Sequence, residues 1–220
     1  MKKAGRSNCM SHKEVDIEAV AGKALADPTL LPEILSGLAS KEETLRYNCH
    51  KVLFLLTQEQ PQTLYPNWDY FVEFLDSDNT YHKLSAVLLL ANLTQIDKDN
   101  KFERLFDRYY DLLDDKSFIT AAYVAGASGK IARAKPRLRT RITNRLLNID
   151  ETHHNPEHKD LVKASIIEAF EEYINQTRNK NRIVDFVQQQ LNCRSPKTKK
   201  AAKEFLARFN QPDTKSGSSF

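Results

Sequence analysis

Signals for the start of a helix recur at a nearly constant spacing along this chain, and that spacing limits the folds it can adopt. Ser40 and Glu43 have the spacing of a capping box, in which each side chain bonds the other's backbone amide. Asn155 and Ser195 each precede a proline, which suits the first position of a helix. The starts fall at 40, 78, 117, 155 and 195, and are therefore 38, 39, 38 and 40 residues apart. Such a period is the signature of a repeat protein.

Each interval contains two stretches in which apolar residues follow helical spacing. In Leu138–Ile149 they lie four, four and three positions apart, on one helical face. No stretch of strand length alternates between apolar and polar residues. A shorter pair, at about 12–24 and 28–38, precedes the array, and Lys197–Phe209 is polar enough to cover its far end. The chain is expected to be all-α, with about five helix pairs and a terminal capping helix.

Several turns resemble those of the HEAT-repeat family. Ser40–Arg46 is similar to the start of a first HEAT helix, where an acidic turn leads into a helix with an early arginine. Leu75–Asp78 and Leu112–Asp115 are similar to the loops between HEAT repeats. The resemblance covers roughly residues 11–209 and implies a right-handed, armadillo-like α-solenoid. The early basic position is poorly matched around Ile119, so the loop ladders of longer family members are expected to be incomplete.

Composition agrees with a helical protein that is not embedded in a membrane. Only 6 glycines and 8 prolines occur, and no apolar run reaches the ~18 residues of a membrane span. The start of the chain lacks the apolar segment of a secretory signal. Residues 1–10 are predicted to be a flexible N-terminus, 11–209 a single repeat domain and 210–220 a disordered tail.

The number and spacing of the cysteines bear on the cellular compartment in which the protein is expected. They are odd in number, far apart and without metal-binding spacing, so free thiols are expected. Free thiols are typical of a reducing environment, and we predict a cytoplasmic protein. The cysteines are Cys9, Cys49 and Cys193.

Basic residues concentrate in the second half of the chain. Residues 1–110 hold 13 Lys or Arg and 16 Asp or Glu, and the remainder holds 20 and 13. Seven basic residues and no acid lie between Lys130 and Arg145, a run that we assign to the second helix of its interval. Like charges four residues apart cost ~0.2–0.5 kcal/mol per pair, so a stabilising role is disfavoured. The predicted anion- or partner-binding residues are Lys130, Arg133, Arg137, Arg141, Arg145, Arg178 and Arg182.

Two interpretations of the basic run stay open. HEAT-like solenoids line their concave surface with second helices, so the resemblance would place the arginines where an acidic peptide or a nucleic-acid backbone binds. The alternative is a solvated basic face, neutralised by acidic residues of neighbouring helices such as Asp107, Asp111 or Glu168.

Two further clusters have side chains that could bind a partner or a metal. Tyr70, Phe74 and Tyr110 lie beside apolar helical stripes and are predicted aromatic anchors. The loop with His153, His154 and His158 has side chains that suit Zn²⁺ but lacks the HExxH spacing. A polar loop is the simpler interpretation, and neither a metal site nor a cofactor is predicted.

The sequence favours binding over catalysis. It has no GxSxG elbow, no Gly-rich phosphate loop and no CxxC. We therefore expect a non-enzymatic scaffold or adaptor that binds a protein or peptide on its concave surface. The alternative is a nucleic-acid-binding protein that uses the basic residues around Arg137–Arg145. Among HEAT-like proteins, DNA alkylation-repair glycosylases use a basic channel with a catalytic acid, but no position here matches that acid.

Overall fold

The computed structural model describes residues 10–11 and 14–209, which form α-helices and short 3-10 helices without any strand. This confirms the all-α prediction. The predicted tail 210–220 and all of the predicted N-terminal segment except Met10 lie outside the described residues. No helix within the described part is long and apolar enough to cross a membrane. The α-helices are α1 (Ile17–Ala26), α2 (Leu31–Gly37), α3 (Glu43–Glu59), α4 (Pro61–Leu64), α5 (Trp68–Glu73), α6 (Thr80–Leu93), α7 (Lys101–Tyr110), α8 (Phe118–Ala134), α9 (Arg139–Leu147), α10 (Pro156–Glu171), α11 (Lys180–Gln189) and α12 (Pro196–Phe209).

The chain divides into two compact units, and the first of them, unit 1, ends at Tyr109. In unit 1, α3 packs against α1, α2, α4 and α6, and α5 packs against α6. Burying one large apolar side chain stabilises a fold by roughly 1.5–3 kcal/mol, so ring packing outweighs helix propensity in holding these short helices together. The largest fully buried side chains of unit 1 include Trp68, Phe71, Phe102, Phe106 and Tyr109.

Polar contacts connect successive helix pairs in unit 1, both in the core and at the surface. In the core, Asn92 Nδ2 on α6 donates to Thr57 Oγ1 on α3 at 2.8 Å. At the surface, Arg108 Nε on α7 donates to Asp76 Oδ1 at 3.0 Å. Breaking the buried bond leaves an unsatisfied polar group at a cost of ~1–3 kcal/mol, whereas an exposed ion pair contributes ~0–1 kcal/mol.

The second unit, unit 2, begins at Tyr110. In it α8 packs along α10, α10 packs against α12, and α11 contacts both α9 and α12. A Cβ atom on Gly129 of α8 would lie 2.8 Å from the carbonyl oxygen of Ala169 on α10. A Cβ atom on Gly126 would lie 3.9 Å from Ser165 Cβ, which is an ordinary contact. The two helices therefore approach at Gly129 too closely for a methyl group.

The helix starts follow the predicted spacing, with one correction. The residues before α6, α8 and α10 are N-caps within one position of the predicted starts, and Asn155 Oδ1 accepts from the His158 amide at 2.9 Å. The predicted capping box at Ser40 does not form. Ser40 Oγ accepts from the Glu42 amide at 3.1 Å, and α3 begins at Glu43 with Glu42 as its N-cap. Ser40 therefore shapes the turn before α3.

Candidate partner-binding surface

Five of the seven predicted basic residues lie together in unit 2, on α9, α11 and the turns that precede them. Four of the side chains are exposed and Arg145 is half-buried. Because α9 contacts α11, the five guanidinium groups belong to one pair of adjacent helices. We name this set the arginine surface; its members are Arg137, Arg141, Arg145, Arg178 and Arg182.

Polar side chains fasten α9 to α11. Arg182 Nη1 donates to Asn144 Oδ1 at 2.7 Å, and Asn179 Nδ2 donates to Thr140 Oγ1 at 3.4 Å. Thr140 and Asn144 are one helical turn apart, so they form one edge of α9. This edge faces α11.

Another edge of α9 faces the 3-10 helix Asp111–Asp114. Arg145 Nη2 forms an ion pair with Asp111 Oδ1 at 2.6 Å. Successive residues of an α-helix point about 100° apart, so Arg145 and its neighbour Asn144 contact different elements. Arg141 lies one turn before Arg145 on this edge. The edge of α9 with Arg141 and Arg145 therefore borders the 3-10 helix. Arg182 of α11 contacts the edge with Thr140 and Asn144.

A repeated arginine pair underlies this arrangement. Three of the Arg-x-x-x-Arg pairs in the sequence follow one another at intervals of 37 residues. The second arginine of each pair bonds a side chain that comes from the preceding second helix or from the 3-10 turn at its end: Asp76, Asp111 or Asn144. The first arginine of each pair is exposed. The pairs are Arg104–Arg108, Arg141–Arg145 and Arg178–Arg182.

The arginine surface therefore contains two arginines with a bond to a neighbouring element and three other exposed arginines. Arg145 and Arg182 are held by bonds to neighbouring helices. Among the residues that the structure describes, Arg137 and Arg178 have no hydrogen bond or ion pair, and both are exposed. Arg137, Arg141 and Arg178 are all exposed.

Lys130 and Arg133 do not belong to the arginine surface, and the prediction that placed them on the second helix is wrong. Both lie in the last turns of α8, the first helix of its pair. Arg133 Nη2 pairs with Glu172 Oε2 at 3.1 Å. Lys130 is half-buried; desolvation lowers its pKa, and the Glu172 carboxylate opposes that shift. A carboxylate of the next helix pair therefore balances both cations.

The predicted aromatic anchors differ in exposure. Tyr110 is 1% exposed, and burial raises the pKa of its phenol, so its prediction as a surface anchor is wrong. Tyr70 and Phe74 are half-buried. The Tyr70 hydroxyl donates to the Leu35 carbonyl at 2.9 Å, and its ring packs edge-on against Phe74 with centroids 5.1 Å apart. These two rings contribute to packing in unit 1, and their role as anchors stays a prediction.

The histidine-rich loop docks on the turn that follows α7. The backbone nitrogen and Nδ1 of His153 contact Asp114 Oδ1 at 2.7 and 2.5 Å, and these bonds lower the pKa of Asp114. His154 Nε2 lies 3.1 Å from the Leu113 carbonyl oxygen, and His158 stacks on an aromatic ring of α8. Across residues 10–11 and 14–209, no three His, Cys, Asp or Glu side chains are arranged to hold a metal. The polar groups of His153 and His154 therefore hold the loop against the turn that follows α7.

Several residues that organise the surface were not predicted from the sequence. The Arg139 guanidinium donates to the carbonyl oxygens of Ala132 and Gln176, each at 2.9 Å, and so fixes the turn before α9. Asn144 and Asn179 fasten α9 to α11. The sequence signal for this layer is the arginine pair, which recurs independently of the helix-start signals.

Comparison with protein-family models, curated proteins and solved structures finds no match to this chain.

Proposed function

We propose that the protein is a non-enzymatic, HEAT-like α-solenoid that acts as a scaffold and holds an acidic, extended segment of a partner protein on the arginine surface. The observation that carries this proposal is the repeated arginine pair, in which one guanidinium is fixed by a neighbouring helix and the other is exposed. The exposed arginines project from a folded pair of contacting helices, so the backbone that carries them is already ordered, which lowers the cost of binding.

The solenoid part of the proposal is supported by the span of the contacts. Hydrogen bonds between neighbouring helix pairs join residues 30 to 41 positions apart, close to one repeat. Examples are Asn92 to Thr57 in unit 1 and Arg182 to Asn144 in unit 2. Contacts restricted to neighbouring repeats are characteristic of solenoids.

The spacing of the arginines defines the partner's sequence pattern. Packed helices lie ~8–10 Å apart, and Arg141 and Arg178 hold equivalent positions in successive arginine pairs, so we take that spacing as the one that a partner matches. An extended chain in the polyproline II conformation has three residues per turn and advances ~3.1 Å per residue, so a chain that crosses both helices presents every third side chain to them, ~9 Å apart. A segment with Glu or Asp at every third position therefore matches the surface.

A protein partner fits the surface better than nucleic acid does. Nucleic-acid binding is favoured by the absence of acidic residues between Lys130 and Arg145. However, the Asp111 side chain is 68% exposed within the arginine surface, and Asp185 is exposed on α11. These carboxylates repel a continuous phosphate backbone, whereas a protein segment avoids them by its own side-chain pattern. The glycosylase alternative has no catalytic acid assigned to it.

Fluorescence anisotropy with labelled peptides tests this function. One twelve-residue peptide carries Glu at every third position with Ser between, a second clusters the same residues, and a third replaces Glu by Lys. We expect the first to bind most tightly and to weaken as salt increases, because exposed ion pairs of ~0.2–1 kcal/mol each are screened. Single- and double-stranded oligonucleotides are titrated alongside.

Two charge-matched variants locate the binding. Arg137→Glu/Arg141→Glu/Arg178→Glu leaves the bridging arginines in place and should abolish binding of the spaced peptide. The control reverses three exposed basic residues outside the arginine surface: Lys98→Glu/Arg194→Glu/Lys203→Glu. Equal binding by the spaced and clustered peptides would refute the register, and equal losses in both variants would refute the site. Oligonucleotide binding that disappears only in the first variant would favour nucleic acid.

A further inference from the structure

An aspartate or asparagine follows each of the three arginine pairs at the same distance. The third residue after the second arginine is Asp111 in the first pair, Asn148 in the second and Asp185 in the third. Three residues make about one helical turn, so this residue is a neighbour of that arginine on the surface. The repeated element is therefore a set of three positions, two arginines and one residue that accepts hydrogen bonds.

The third position binds a guanidinium where a further arginine pair follows it. Asp111 Oδ1, after the first pair, accepts from Arg145 Nη2 of the second pair at 2.6 Å. Asn148, after the second pair, is neutral, and Arg182 of the third pair bonds Asn144 instead. An aspartate at this position can therefore hold an arginine that approaches from outside its own helix.

Asp185 has no corresponding arginine in this chain. One further interval of 37 residues after Arg182 leads to position 219, where the sequence has serine. Asp185 is exposed on α11, and its side chain forms no hydrogen bond or ion pair with the residues that the structure describes. The nearest arginine on its own helix, Arg182, donates to Asn144 Oδ1. Asp185 is therefore an exposed carboxylate at a position that binds a guanidinium in the case of Asp111.

The charge along α9 and α11 changes sign from their N-terminal to their C-terminal ends. The hydrogen bonds that join the two helices connect residues of rising number on both, so the helices run parallel. Arg137 and Arg178 lie in the turns before them, and half-buried Lys180 begins α11. Exposed Asp185 and Glu151 lie farther along. The aligned helix dipoles, positive at the N-terminal ends, have the same sense.

A partner segment that crosses α11 between Arg178 and Asp185 has opposite charges on its two sides. These residues are seven positions apart, which is ~10 Å along a helix and wide enough for one extended chain. In the polyproline II conformation the side chains point in three directions about 120° apart. One direction carries the acidic residues that face Arg178. A second direction faces Asp185, where an acidic residue is repelled and a basic one is attracted.

We propose that Asp185 determines the specificity of the arginine surface by binding a basic residue of the same partner segment. This inference rests on the proposed function, and it adds to the partner's pattern a basic residue beside the acidic one that meets Arg178. The partner is thus an extended protein segment of mixed charge rather than a purely acidic one. The pair of opposite charges also fixes the direction of the segment, because reversing the chain turns the basic residue away from Asp185.

Anisotropy on the full chain with three labelled twelve-residue peptides tests the role of Asp185. The first is the spaced peptide, with Glu at every third position and Ser between. The second has Arg directly after each Glu, and the third has Gln there. We expect Asp185→Asn to weaken binding of the arginine peptide about two- to fivefold, as the loss of one exposed ion pair does. The same variant should bind the spaced peptide slightly more tightly, because a carboxylate that repels glutamate is removed.

Two further variants separate this effect from a general change in charge. Asp69→Asn removes an exposed carboxylate of α5 in unit 1 and should leave the binding of all three peptides unchanged. Asp185→Arg should bind the spaced peptide more tightly than the wild type does and the arginine peptide more weakly. The glutamine peptide should follow the spaced peptide in both variants of Asp185, because it lacks the positive charge.

Three results would overturn the inference: an unchanged arginine peptide in Asp185→Asn, equal losses of the arginine and glutamine peptides, or the same loss in Asp69→Asn. The proposed function would survive each of them if the spaced peptide bound the wild type and not Arg137→Glu/Arg141→Glu/Arg178→Glu. If no peptide bound the wild type, the proposed function and this inference would both be wrong. The two failures are therefore distinguishable.

Discussion

Two glycines of α8, three residues apart, should respond to alanine in opposite directions. At Gly126 an added Cβ meets only Ser165 Cβ at 3.9 Å, an ordinary contact. At Gly129 it lies 2.6 Å from Glu172 Oε1 and 2.8 Å from the Ala169 carbonyl oxygen. The Glu172 side chain can rotate away, but the Ala169 carbonyl is backbone, so α8 and α10 must separate locally.

The magnitudes follow from two opposing terms. Alanine is more favourable than glycine inside a helix by ~1 kcal/mol, and Gly126→Ala should gain most of that amount. Overpacking a closely packed interior costs ~1–3 kcal/mol, which offsets the same gain at Gly129 and leaves a net destabilisation of ~0–2 kcal/mol. The helix term is common to both variants and cancels in their difference. That difference, ~1–3 kcal/mol, therefore measures the contact between α8 and α10.

Urea denaturation followed by circular dichroism measures the free energy of unfolding of both variants and the wild type. We expect the midpoint to rise for Gly126→Ala and to fall for Gly129→Ala, with unchanged slopes. Gly22→Ala in α1, where an added Cβ meets nothing within 4 Å, is a control for the helix term in unit 1. If Gly129→Ala stabilised the protein as much as Gly126→Ala, the close approach of α8 and α10 would be refuted.

Three further predictions concern titration and polar contacts. Burial, with a smaller effect of Lys51, lowers the pKa of His50 from 6.5 to about 4. The unfolded state therefore binds the proton first, and the free energy of unfolding falls by at most about 3 kcal/mol as the pH drops from 6.5 towards 4. In His50→Leu the urea midpoint should depend less on pH in that window. An unchanged dependence on pH would contradict this. A double-mutant cycle with Arg145→Ala and Asp111→Ala should give a coupling below ~1 kcal/mol that shrinks in high salt, and a larger, salt-independent value would contradict the exposed ion pair. Asn92→Ala should destabilise unit 1 by ~1–3 kcal/mol in thermal unfolding, and a neutral result would argue against the buried bond to α3.

Cap chemistry explains why the helix starts were predictable. The side chain of an N-cap bonds an amide two or three residues later, a short-range interaction that depends on few other residues. It failed at Ser40 because a longer-range contact prevailed. Arg46 Nη1 donates to the Ser40 carbonyl at 3.0 Å, which holds Ser40 in the turn two residues before the N-cap.

The burial of Tyr110 was not predictable from helical periodicity. Tyr109 and Tyr110 point about 100° apart, so the sequence favours one inward and one outward side chain. In the structure the boundary between the compact units falls between them. The Tyr109 hydroxyl donates to the Val87 carbonyl at 3.1 Å in unit 1, and Tyr110 is buried in unit 2. Tertiary packing therefore overrides the local pattern.

A count of charges likewise could not predict which arginines of the arginine surface bond a neighbouring element. Arg141 and Arg145 are equivalent in sequence, each part of one stripe on α9. Only the structure shows which element each edge of α9 faces, through Asp111 at 2.6 Å and through the bonds to α11.

The repeated arginine pair separates stability from binding within a single helical turn. Arg145→Glu would place a carboxylate against Asp111, so it should weaken both folding and partner binding. Arg178→Glu alters an exposed cation without a partner among the described residues, so it should weaken binding and leave the unfolding midpoint nearly unchanged. Because the second arginine of each pair bonds a neighbouring element and the first is exposed, substitution of the first should affect the proposed binding more than it affects folding.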